Sequence, residues 1–166
     1  MPATFEVAED AEAVARGLIE DLEVHGWLKG YAMRFVFRDA DSPANKGGRP
    51  VWGKVQVISG LAKFLAYGSD AAVVIERRVW ERLSGKGRRA LMDHLLTRLC
   101  SNDDGSLTTV EPDIAEFAEV IARNGLWRDE LSKAAPLFVE HSILDQFRPP
   151  DVTADGERVS VGRDAS

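Results

Sequence analysis

Ala90-Leu91-Met92-Asp93-His94-Leu95-Leu96-Thr97-Arg98 is the stretch whose reading decides the fold. Wound as a helix, it sets Leu91, Leu95 and Leu99 along one edge and Met92 and Leu96 along the next. The segment from about Lys86 to Cys100 is therefore expected to be a helix substantially buried on one side. Its polar residues then matter most, because His94 and Arg98 lie one turn apart and point the same way.

Upstream, Ala71-Ala72-Val73-Val74-Ile75 is brief, apolar and β-branched, the pattern of a buried strand. Val79-Trp80-Glu81-Arg82-Leu83 then forms a turn of helix halted by Ser84-Gly85. Tyr31, Met33, Phe35 and Phe37 alternate with Ala32, Arg34, Val36 and Arg38, which gives a strand of period two. Asp39 to Pro50 gathers Asp, Ser, Pro, Asn and Gly and is expected to be a mobile loop. Val51 to Ile58 makes a further strand, in which Trp52-Gly53 marks a bulge or a close backbone approach. A short helix from Leu61 to Tyr67 is closed by Gly68. At the N-terminus, Val7, Ala11, Val14, Ala15, Leu18, Ile19 and Leu22 recur at helical spacing among acids, predicting one amphipathic helix from Glu6 to Leu28 that ends near His25-Gly26.

Downstream, Ser101 to Gly105 is a turn and Ser106 to Val110 a small extended segment. Asp113 with Glu116 three residues on has the spacing of a capping box, followed by the stripe Ile114, Phe117, Val120 and Ile121 and stopped by Asn124-Gly125. A last helix is predicted over 128–147. The pattern is that of an α+β domain over 1–148, a small mixed sheet of three to four strands packed against helices. Residues 149–166 are polar, have no periodic apolar pattern and are expected to form a disordered tail.

A hydrophobic content of 45% in 166 residues is enough to bury one core but not two. A single cysteine, Cys100, excludes a disulfide framework and a Cys-rich zinc module. The first residues have neither a basic n-region nor an apolar h-region, and no apolar run approaches the roughly 18 residues of a membrane span. A soluble, cytoplasmic protein without membrane contact is expected. The net charge of −6 argues against general affinity for nucleic acid. The local exception is Lys86, Arg88 and Arg89 in the turn opening the central helix, together with Arg77 and Arg78, a basic surface suited to a phosphate or an acidic partner. The Walker spacing is absent there, so the alternative is an ordinary turn opening a helix.

The helix also bears on metal chemistry. A zinc-peptidase helix carries His-Glu-x-x-His: two imidazoles four apart hold the metal, and the acid beside the first activates its bound water. Here His94 supplies the first imidazole, Leu95 stands where the acid belongs, and Arg98, a fixed cation, stands where the second imidazole belongs. Around this helix, the pieces Arg34-Phe35-Val36-Phe37-Arg38, Gly53-Lys54, Val73-Val74-Ile75, Trp80, Arg88-Arg89-Ala90-Leu91-Met92-Asp93-His94, Pro112 to Phe117 and Gly125-Leu126-Trp127 fall in order. Over about Val14 to Trp127 the chain resembles the putative phage metallopeptidase family, in which Ala-Leu-(Leu/Met)-Asp leads into His-Glu-x-x-His.

The resemblance implies a zincin-like fold in which only His94 carries over as a candidate ligand. Glu116, Asp113 or Glu111 would supply a carboxylate beside it if the two helices pack together, although Asp113 and Glu116 are already explained as a cap. Zinc is not expected to be retained, and no other cofactor is implied. The chain is therefore expected to be a degenerate, non-catalytic phage or prophage protein in the host cytoplasm that binds a protein partner, an inhibitor of host defence being one form. Two alternatives stand beside it. One is a metal-dependent hydrolase built on His94 and carboxylates; the other is an acidic mimic of nucleic acid, which requires acids in rows on one face, whereas here they are scattered around helices.

Overall fold

Five of the six residues of the strand Ala71–Glu76 are buried, as a strand in the middle of a covered sheet requires. The computed structural model describes residues 2–42, 44–46, 48–112 and 117–129. Their elements, in chain order, are β1 (Thr4–Val7), α1 (Glu9–Asp21), a 3₁₀ run (Glu23–Gly30), β2 (Met33–Asp39), β3 (Asn45–Lys46), β4 (Arg49–Pro50), β5 (Gly53–Val57), α2 (Gly60–Leu65), β6 (Ala71–Glu76), α3 (Arg77–Arg82), α4 (Gly85–Thr97), β7 (Leu99–Ser101), β8 (Leu107–Thr109) and α5 (Ala118–Asn124). This is an α+β fold.

The main sheet is mixed, in the order β1-β2-β6-β5. β6 runs parallel to β2 on one side and antiparallel to β5 on the other, while β1 closes the far edge antiparallel to β2. The register aligns Phe35 with Val73 and Val55, and Phe37 with Ile75 and Gly53, so one face carries a row of large apolar side chains. Ala11, Ala15, Leu18 and Ile19 of α1 and Leu91, Met92, Leu95 and Leu96 of α4 join that row in a single core.

Gly53 is where α4 comes closest to the sheet. A methyl group on Gly53 would lie 2.9 Å from Leu95 Cδ1 and 3.1 Å from the Val74 carbonyl oxygen. Of the two readings that Trp52-Gly53 allowed, close approach is the one realised. Gly53→Ala is expected to destabilise the protein by about 1–3 kcal/mol, the usual cost of overpacking, measured by urea titration.

Three boundaries differ from the sequence expectation. The predicted N-terminal helix from Glu6 to Leu28 is instead an edge strand, a shorter helix and a 3₁₀ run. β1 pairs with β2 through its backbone and leaves Phe5 and Val7 about 60% exposed, so no burial pattern marks it as a strand. α1 stops at Asp21, with Leu22 extended; Glu20, Asp21 and Glu23 sit where the negative end of the helix dipole disfavours acids. The central helix ends at Thr97 rather than Cys100, because Leu99–Ser101 pairs with Leu107–Thr109 as a two-stranded ribbon. Leu99 is still buried, from a strand. Within the expected loop 39–50, Asn45–Lys46 and Arg49–Pro50 pair as a two-residue hairpin.

The helix before Asn124-Gly125 is present as α5, ended by Gly125 at φ +69°, a conformation glycine adopts without strain. The proposed cap residues Asp113 and Glu116, the last helix from residue 130 on, and the tail lie outside the described residues.

Candidate functional site: the buried helix α4

Ser84 opens α4 by accepting a hydrogen bond from the Gly87 amide at 3.1 Å, the usual N-cap arrangement. The turn Ser84-Gly85-Lys86-Gly87 is therefore a cap, with one of its amides already satisfied by the chain itself. From Ala90 to Leu96 all seven residues are buried, more than the one-sided burial expected from the leucine pattern. Burial this complete forces each polar side chain to find a partner inside the protein.

His94 faces aromatic rings. Its ring centroid lies 5.6 Å from that of Phe117 and 6.4 Å from that of Trp127. Trp127 in turn meets Trp52 edge-on at 5.8 Å. The Arg128 guanidinium stacks over Trp52 at 4.4 Å and Trp127 at 5.5 Å, within cation–π range. Leu95, at the position of the zincin acid, is fully buried against Gly53. Arg98, at the position of the second imidazole, donates from Nη2 to Glu111 Oε1 at 2.6 Å. Of the carboxylates considered for His94, Glu111 is thus committed to Arg98, and Glu116 and Asp113 lie outside the described residues.

Zinc needs three protein donors of the imidazole, thiolate or carboxylate type in a catalytic site. The helix offers one imidazole, a hydrocarbon and a guanidinium. Among the described residues, no group of three or more His, Cys, Asp or Glu side chains is arranged to hold a metal. Among the described residues, the donor set around α4 does not fit the metal that a zincin helix carries.

The polar chemistry lies at the neighbouring position, about 100° round the helix from His94. Asp93 is 1% exposed and accepts from His25 Nε2 at 2.7 Å, from Arg123 Nε and Nη2 at 2.9 and 2.8 Å, and from Asn124 Nδ2 at 2.6 Å. Burial pushes its carboxyl upward, but the hydrogen bonds from His25, Arg123 and Asn124 and the charge of Arg123 outweigh burial and hold it at about 2. The network ties α4 to the 3₁₀ run and to α5. In the sequence His25 has no neighbours of ligand spacing. The signal available was Asp93 itself, a carboxylate in a run of buried apolar residues that had to be satisfied by something.

The predicted basic surface is only partly free. Arg77 pairs with Glu6 and, at 3.7 Å, with Glu81, and it stacks on Phe37. Arg78 lies 3.6 Å from Asp39 and 3.7 Å from Asp41. Arg88 donates to the Trp80 carbonyl at 3.0 Å and covers the Trp80 ring. Lys86 and Arg89 are exposed. Three of the five residues are thus held by the protein's own acids, rings and backbone.

A mixed four-stranded sheet packed against helices, with the Ala90–Leu96 stretch of α4 buried in the core, defines an α+β protein consistent with a zincin-like fold. The chain belongs to the putative phage metallopeptidase family, whose sequence model matches residues 3–135. No curated protein and no solved structure matches it.

Proposed function

We propose that this protein is a non-catalytic member of its family that acts by binding another macromolecule, inhibition of a host defence being one form of that action. One observation carries the reading: the two positions that make a zincin helix chemical are used for structure. Leu95 is built into the core against Gly53, and Arg98 is paired with Glu111. Neither a hydrocarbon nor a guanidinium activates water at neutral pH.

The surface supports a binding role. On and just after α2, Leu61, Phe64, Leu65 and Tyr67 are between 67% and 90% exposed, a cluster of the kind that a protein partner covers. No helix among the described residues is long and apolar enough to cross a membrane.

Protein purified without a chelator is expected to contain no stoichiometric zinc and to leave peptide substrates uncut. Elemental analysis giving near one zinc per chain, lost in His94→Ala, overturns the non-catalytic reading. For the binding role, a partner retained from host lysate should be reconstituted with the pure protein at defined stoichiometry. It should be lost on Phe64→Ser with the melting temperature unchanged.

A further inference from the structure

A cleft lies at the carboxyl ends of the parallel strands β2 and β6, on the far side of Trp52 and Trp127 from the His94 ring contact. Its walls are Pro50, Trp52, Val79 and Leu83, and it encloses about 380 Å³. That lies within the usual range of small-ligand clefts, about 300–1,000 Å³. Trp52 is fixed as one wall because its carbonyl accepts the Glu76 amide at 3.0 Å.

The charges at the cleft decide what suits it. Glu76 reaches the lining but is buried, and Arg38 Nη1 holds both its oxygens, at 2.8 and 2.9 Å. Its charge is neutralised within the protein, so the cleft is not a cation site. Arg78 and Arg82 also line it, and at i and i+4 on α3 they share a face. Arg78 lies 3.6 and 3.7 Å from the carboxylates of Asp39 and Asp41 and donates from Nη1 to the Asp41 carbonyl at 3.3 Å, so it is partly engaged. Arg82 has no ion pair or hydrogen bond among the described residues and stands exposed. An apolar floor is thus rimmed by guanidinium groups, one of them uncompensated, and guanidinium matches a carboxylate with two parallel hydrogen bonds.

We propose that this cleft binds an apolar group that carries a carboxylate, the group seated between Trp52, Val79 and Leu83 and the carboxylate held by Arg82 and Arg78. A free small acid and the C-terminal residue of a peptide present the same chemistry. The assignment is independent of the non-catalytic reading, since it is decided by binding and not by zinc content.

Calorimetric titration of the full chain tests it with four probes: N-acetylphenylalanine, its carboxamide, a pentapeptide ending in phenylalanine, and the same peptide amidated. Each carboxylate is expected to bind, and each amide to bind about tenfold more weakly, the size of one hydrogen bond between charged groups. Arg82→Gln should weaken carboxylate binding by a similar factor at an unchanged melting temperature. A peptide that binds much more tightly than the free acid identifies a chain terminus as the source; equal affinities identify a small acid. Carboxylate and amide binding alike, or no heat from any probe at millimolar concentration, overturns the proposal without recourse to any variant.

Discussion

Asp93→Ala is expected to cost about 3–5 kcal/mol of stability, the range for breaking a buried ion pair by removing one partner. The substitution deletes the acceptor shared by His25, Arg123 and Asn124, and His25 is as deeply buried as Asp93. The stranded imidazole then has to be desolvated without a partner. Asp93→Asn keeps the shape and part of the hydrogen bonding and isolates the charge. The Asp93 carboxyl is held at about 2 in the folded protein against 3.8 ordinarily. A depressed carboxyl contributes stability that is fully present above the unfolded value, near pH 4, and is lost as the pH falls through about 2. Between those limits the parent should lose about 2 kcal/mol more than Asp93→Asn, an order-of-magnitude figure from the shift. Urea titrations of both proteins across that window check it, and parallel stability curves would show that the network carries no net charge stabilisation.

Leu95→Ala is expected to cost about 2–5 kcal/mol, as for a leucine with no exposed surface. Full thermal stability in that variant would place the helix face in solvent and break the correspondence with the zincin motif. The contact with Gly53 makes a sharper statement possible. Leu95 Cδ1 occupies the space that a side chain on Gly53 would need, so the two substitutions should be non-additive. Gly53→Ala is expected to be costly in the parent and much less so in the Leu95→Ala background, leaving the Val74 carbonyl as the remaining crowding. Additive costs would mean that the helix and β5 do not meet as described. A carboxylate at position 95 would by the same contact be pressed into the sheet without a partner.

The buried face of α4 was legible in the sequence because its leucines repeat with the helical period. His94, Leu95 and Arg98 are read against a motif whose spacing is itself the geometry of one helical turn. β2, β5 and β6 were legible for the same reason, since alternation and β-branched runs report burial directly. β1 was not, because four exposed residues leave no burial alternation in the side-chain pattern. The end of α4 was misjudged because Leu99 satisfies the helical stripe equally well from a strand, and only pairing with β8 decides between the two.

What the sequence by itself determined was the periodic burial that gives the α+β layers and the absence of the zincin acid and second imidazole from the helix. Tertiary structure alone decided the partners. Asp93 and His25 are 68 residues apart in the chain, and nothing within either segment specifies the other. Glu111 went to Arg98 rather than to His94, and Phe117 and Trp127 came together at the histidine, with Trp52 and Arg128 packed on Trp127. The physical reason is one of range: periodicity and capping act over a few residues, whereas a buried charge is satisfied by whatever group the packed layers bring within hydrogen-bonding distance.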